Sequence, residues 1–135
     1  MNKFGLIGYP LGHSFSKNFF NEKFHSENIN AEYVNFEIPS IDELPNILLS
    51  NSDLAGLNVT IPYKELIIPY LSWVDPVAEK IGAVNTVVNR DGKLYGYNTD
   101  FFGLGALIEK NNLKGFGQGL LLLGSGGTSK SANAV

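Results

Sequence analysis

Ala83-Val84-Asn85-Thr86-Val87-Val88-Asn89-Arg90-Asp91-Gly92-Lys93-Leu94-Tyr95-Gly96-Tyr97 is the stretch whose reading decides the fold. Two β-prone runs flank Asp91-Gly92, a two-residue turn of residue types that accept positive φ, so the segment reads as a hairpin. Its setting is not that of an all-β protein. Upstream, short apolar runs alternate with helical patterns, an order that calls for parallel strands joined by crossovers. A hairpin set into such a series implies a mixed sheet in an α/β fold.

Working toward the N-terminus, Leu54 to Val59 reads as a strand, ended by Thr60-Ile61-Pro62 because proline cannot donate to a ladder. Ser40-Ile41-Asp42-Glu43 has the spacing of a capping box and opens a helix. Tyr33 to Ile38 alternates and stops at Pro39, as a strand does. Phe19, Phe20 and Phe24 have helical spacing, which predicts a helix over Lys17 to Glu27 with Ser16 as N-cap and Asn28 near its stop. Phe4 to Gly8 is the first strand, closed by the turn residues Tyr9-Pro10-Leu11-Gly12.

Toward the C-terminus, Asp100 to Asn111 places Leu104, Leu107 and Ile108 on one helical face, and Lys114 to Gly119 is a glycine-rich connection. Leu120-Leu121-Leu122-Leu123 then runs into Gly124-Ser125-Gly126-Gly127. This reads as a buried strand turning through a glycine loop into a helix start, where a pyrophosphate normally sits. Only the opening of such a unit is present, so a dinucleotide site within this sequence is expected to be incomplete.

With 135 residues, 44% of them hydrophobic, the chain can bury one respectable core. A net charge of −3, with Arg90 the single arginine, argues against nucleic acid or an anionic membrane surface as partner and favours a small molecule. There is no cysteine, and His13 and His25 are too few for an ordinary zinc site, so no metal is expected. Met1-Asn2-Lys3-Phe4 leads straight into a strand, and no segment approaches 18 apolar residues, which points to a cytoplasmic setting.

Four polar clusters fall at predicted strand ends or just beyond them: Ser14/Ser16, Asn58/Thr60/Lys64, Asn85/Thr86 and Asn98/Thr99/Asp100. Ligands of open α/β sheets sit at carboxyl ends of strands, so these clusters can converge on one crevice. Each also has a bland reading, as helix cap, turn stabiliser or solvated charge. Jointly they are rich in hydroxyls and amides, which suits a polyhydroxylated ligand. Lys64 and Asp100 are the charged members, with the chemistry for a proton transfer coupled to hydride transfer.

At these residues the sequence resembles the shikimate dehydrogenases. Gly12-His13-Ser14-Phe15-Ser16 resembles that family's substrate-carboxylate loop, and Asn58-Val59-Thr60-Ile61-Pro62-Tyr63-Lys64 its Asn-Val-Thr-x-Pro-x-Lys signature. Gly82-Ala83-Val84-Asn85-Thr86, Asn98-Thr99-Asp100 with Gly103, and Gly124 to Ala132 are similar to the next three signatures, in order. Lys17 departs from the proline usual after the second serine, and Ser129 from the last glycine of G-x-G-x-x-G.

The resemblance implies a three-layer α/β/α substrate domain with a mixed, mainly parallel sheet at residues 1–112, then a linker and the first strand and glycine loop of a Rossmann-like domain at 113–135. It implies reversible, NADPH-dependent reduction of 3-dehydroshikimate to shikimate in aromatic amino-acid biosynthesis. Ser14 and Ser16 would hold the substrate carboxylate. Asn58, Thr60, Asn85, Thr86 and Asp100 would bind elsewhere on the substrate, and Lys64 with Asp100 would serve the reacting oxygen. Gly124, Gly126, Gly127, Thr128 and Ser129 would belong to the NADP site, whose remainder lies beyond this sequence, so the chain alone is expected to lack turnover. The partners implied are shikimate or 3-dehydroshikimate and, optionally, a second copy in a homodimer. The alternatives are a relative with relaxed use of quinate or NAD, and a stand-alone binding module for a hydroxy acid.

Overall fold

The computed structural model describes residues 1–12 and 15–100; His13, Ser14 and residues 101–135 lie outside the described part. The predicted helix after Asp100, the glycine-rich connection, and the strand and glycine loop of residues 120–129 therefore fall outside it as well.

The chain runs β1 (Asn2–Gly8), α1 (Phe15–Ser26), β2 (Ala31–Glu37), a 3-10 turn (Ile41–Glu43), α2 (Leu44–Ser50) and β3 (Leu54–Val59). A second 3-10 turn (Ile68–Tyr70), β4 (Trp73–Val74), α3 (Pro76–Ile81), β5 (Thr86–Arg90) and β6 (Lys93–Tyr97) follow. The strands form one six-stranded sheet in the order β2-β1-β3-β5-β6-β4. β1 pairs parallel with β2 and β3, β4 pairs parallel with β6, and β5 is antiparallel to both its neighbours. Five strands thus share one direction and β5 runs against them, the mixed, mainly parallel sheet that the embedded hairpin implies. Asp91 (φ 54) and Gly92 (φ 83) both take positive φ at its tip, as a type I′ turn requires.

Alternation along the strands sorts the side chains onto two faces. One face carries Ile7, Leu57, Val59, Val87 and Leu94, which cluster with Leu44 of α2, Ala78 of α3, and Ile38, Ile67 and Val84 from the connections. On the other, Phe4 meets Phe24 at 6.0 Å between ring centroids, and Phe20 stacks on Tyr33 at 5.0 Å, which docks α1. With α1 on one side and α2 and α3 on the other, the architecture is three-layer α/β/α. Asn21 completes the α1 contact: its amide Nδ2 donates to the Tyr33 carbonyl at 2.9 Å, and its Oδ1 accepts from the Tyr33 N–H at 2.8 Å. A side-chain amide thereby stands in for a strand along the open edge of β2.

Several local expectations need correction. α1 begins at Phe15, so Ser16 lies in the first turn and is not its N-cap. The predicted stop is right, since Asn28 takes φ 55 while Ile29 N–H reaches the Phe24 carbonyl and Asn28 N–H the His25 carbonyl, a Schellman motif. Ser40 caps a 3-10 turn, accepting from Asp42 N–H at 3.2 Å, and α2 starts afresh at Leu44 with Pro45 in its first turn. The strand read from Ala83 begins only at Thr86, because buried Ala83 and Val84 are taken up by the turn out of α3. β4 and α3 carry no periodicity, being two and six residues long. The cap signals of α3 are nonetheless present: Asp75 accepts from Val77 N–H, Pro76 opens the helix, and Gly82 closes it at φ 78.

Asn21→Ala is expected to leave the Tyr33 N–H and carbonyl without these partners, at a cost of about 1–3 kcal/mol. Chemical denaturation of the two proteins reads this as a lower midpoint at unchanged slope.

Candidate functional site

The described members of the four polar clusters meet at one end of the sheet, and main-chain hydrogen bonds bring them there. Val59 N–H donates to the Asn85 carbonyl at 2.8 Å, Asn85 N–H to the Tyr97 carbonyl at 3.1 Å, and Val84 N–H to the Lys64 carbonyl at 2.7 Å. The end of β3, the entry to β5 and the exit of β6 are thus laced together. Because β5 is antiparallel, its N-terminal residues lie beside the C-terminal residues of β3 and β6. Thr60 N–H donates to the Ile7 carbonyl and Tyr9 N–H to the Ile61 carbonyl, which ties the loop after β1 to the same end. The Ile61-Pro62 peptide is cis. Gly8 packs so closely under Thr60 and Leu11 that a Cβ there would collide with both side chains.

Lys64 and Asp100, 36 positions apart, form an ion pair with Nζ 2.9 Å from Oδ2, their side chains 18% and 40% exposed. This is the contact the sequence left open. Asn85 fills most of its amide with its own neighbours: Oδ1 accepts from Thr99 N–H at 2.9 Å and Thr86 Oγ1 at 3.0 Å, and Nδ2 donates to Thr99 Oγ1 at 2.9 Å. One Nδ2 hydrogen is left for a ligand. Asn98 is 2% exposed and donates from Nδ2 to the Ala83 carbonyl at 3.0 Å, so it belongs to the scaffold. Thr60 is half-buried beside Gly8. Ser14, Gly124, Gly126, Gly127, Thr128 and Ser129 lie outside the described residues.

Tyr33 joins the Ser16 and Asn58 clusters, and its part escapes sequence reasoning. Its hydroxyl donates to Asn58 Oδ1 at 2.8 Å and is hydrogen-bonded to Ser16. The side chain is 3% exposed. Burial pushes the phenol up to about 12, against a smaller downward pull from Ser16. In the sequence Tyr33 reads only as one residue of an alternating strand. Beside this polar row lies an open cleft of about 350 Å³, lined by Phe4, Phe20, Phe24 and Val88 with Tyr33, Asn58 and Thr86 among its polar margin. Lys64 and Asp100 stand outside that lining and belong to the polar row, not to the apolar cleft.

The arrangement offers a small ligand hydroxyl and amide groups along one side and a lysine–carboxylate pair at the end. The sequence profile of the shikimate dehydrogenase substrate binding domain matches residues 6–87, more than half of the chain. The chain belongs to that family. Among curated relatives, the shikimate dehydrogenase (NADP(+)) of Dehalococcoides mccartyi is 45% identical over 134 residues, covering 98% of this chain and 46% of the relative. Among solved structures, shikimate dehydrogenase 1 from Peptoclostridium difficile superposes with a TM-score of 0.85 at 43% identity, covering 98% of this chain and 50% of that one. Shikimate 5-dehydrogenase from Thermus thermophilus, solved in complex with NADP(H) and shikimate, gives 0.83 at 34% identity, covering 99% and 51%. The chain spans about half the length of these relatives. Among the described residues no helix is long and apolar enough to cross a membrane.

The neutral Tyr33 phenol is favoured in the folded state, so its stabilisation is complete below pH ~10 and is lost as pH rises toward about 12. Alkaline spectrophotometric titration of the native protein and Tyr33→Phe should differ by one phenol ionising near pH 12. A difference centred near pH ~10 would contradict this environment.

Proposed function

We propose that this chain is the substrate-binding part of an NADP-dependent shikimate dehydrogenase, which interconverts 3-dehydroshikimate and shikimate in aromatic amino-acid biosynthesis. Residues 1–112 form the substrate domain in this reading, and residues 113–135 are the linker and opening of the NADP-binding unit. The observation that carries the proposal is the Lys64–Asp100 pair, 2.9 Å apart at the end of a row of hydroxyls and amides. Family membership, and a relative solved with shikimate and NADP(H), support it.

Reducing a ketone to an alcohol adds hydride to carbon and a proton to oxygen. NADPH supplies the hydride when bound; Gly124, Gly126, Gly127, Thr128 and Ser129 would hold it. The part of this chain is to bind the substrate, hold its reacting oxygen and move the proton. Lys64 Nζ donates that proton as negative charge grows on the oxygen, and takes it back in the reverse direction. Asp100 accepts from Nζ, holding the ammonium in place and binding the neighbouring ring hydroxyl. Asn58, Thr60, Asn85 and Thr86 hold the other hydroxyls. Ser14 and Ser16 take the carboxylate at the start of α1, where hydroxyls and the positive end of the helix meet the charge without an arginine.

In the full-length protein, shikimate-dependent reduction of NADP+ is expected, and Lys64→Ala should lower kcat by about 10²–10⁴-fold with a smaller change in KM. Activity of the native enzyme with quinate as well as shikimate, or with NAD+ in place of NADP+, would favour the relaxed relative. Binding of shikimate without turnover would favour the stand-alone module.

A further inference from the structure

We infer that Tyr33 is a positioning residue for the substrate: its hydroxyl, bonded to both Ser16 and Asn58, fixes the Asn58 side chain as a hydrogen-bond donor to a ligand oxygen. This rests on the shikimate dehydrogenase reading and assigns a residue that binds nothing itself. An asparagine amide is ambiguous, since exchanging Oδ1 and Nδ2 turns a donor into an acceptor with little change of shape. The phenol can itself donate or accept, and in this structure it meets the oxygen side of the amide. Tyr33 O–H donates to Asn58 Oδ1 at 2.8 Å, which leaves the two Nδ2 hydrogens, without a hydrogen-bond partner among the described residues, as the part of the amide offered outward. An acceptor such as a ring hydroxyl oxygen satisfies them, whereas an ammonium does not.

Tyr33 is unusually well held for this work. Its ring stacks on Phe20 at 5.0 Å, and its main chain is clamped on both sides by Asn21. Asn58 is fixed in turn by its place on β3, paired with Leu6 of β1 and Thr86 of β5. The hydroxyl also touches Ser16, and with its own hydrogen given to Asn58 it meets Ser16 as an acceptor. Burial keeps it protonated, and therefore a donor, throughout the range in which an enzyme works.

The test is a double-mutant cycle in the full-length enzyme, with Tyr33→Phe, Asn58→Ala and the double variant, read as kcat and KM for shikimate. Tyr33→Phe keeps the ring and its stack and removes only the hydroxyl. The expected result is a rise in KM of about 5–10-fold with kcat within about twofold, and an added change below about twofold once Asn58 is alanine. An unchanged KM, or the same fold-change in both backgrounds, overturns the proposal. The side-chain amide resonances of Asn58, identified by their loss in Asn58→Ala, give a reading that does not depend on the substrate. They should shift in Tyr33→Phe, and unchanged resonances overturn the proposal. If the native enzyme fails to oxidise shikimate, the functional reading falls and these resonances alone decide the role of Tyr33.

Discussion

The main chain of Val84 and Asn85 carries the hydrogen bonds on which the rest of the structure depends. Val84 N–H holds the Lys64 carbonyl, the Asn85 carbonyl takes the Val59 N–H, and Asn85 N–H holds the Tyr97 carbonyl. Three segments that bring Asn58, Lys64 and Asp100 are therefore referenced to one dipeptide. The dipeptide is itself fixed from behind, because Gly82 ends α3 in the left-handed region and Val84 is fully buried in the core. A side chain at residue 82 would strain that turn, and the strain would be felt where the polar loops meet.

An antiparallel strand in the middle of an otherwise parallel sheet is what makes this lacing available. In an all-parallel sheet the entry to each strand lies at the end opposite the ligand. Reversing β5 puts its entry, Asn85 and Thr86, next to the exits of β3 and β6. The polar loops thus gain a neighbour bonded to both sides, and the Asn85 side chain extends the lacing to Thr99. Asp100 follows directly, within reach of Lys64. That ion pair is too exposed to contribute much to stability, since partly solvated pairs typically contribute under about 1 kcal/mol. Its value lies in holding an ammonium at a defined place.

Much of the fold was legible because its signals are local. The Asp91-Gly92 turn needs positive φ at both positions and has it, and the apolar run Leu54–Val59 with its proline stop gave a strand with its observed ends. Asn28 marked the helix stop by the same logic. Legibility failed where an element is too short to show a period, as at β4 and α3, and where a polar residue had two local uses. Ser16 is a good N-cap by type, yet it lies inside the first turn of α1 and bonds Tyr33. Ser40 and Glu43 have capping-box spacing, yet Pro45 restarts the helix and Ser40 caps a tighter turn.

What the sequence determined by itself was the α/β class, the mixed sheet, and the set of polar residues at strand ends, including Lys64 and Asp100 as their charged members. Periodicity and turn chemistry act over a few residues and are written in them. Only the tertiary structure decided that Lys64 and Asp100 meet, that Asn98 serves the scaffold, and that Tyr33 stands between Ser16 and Asn58. Those relations join residues from 15 to 36 positions apart, and they follow from strand order and register. Strand order and register are set by the packing of the whole core, so no single stretch of sequence spells them out.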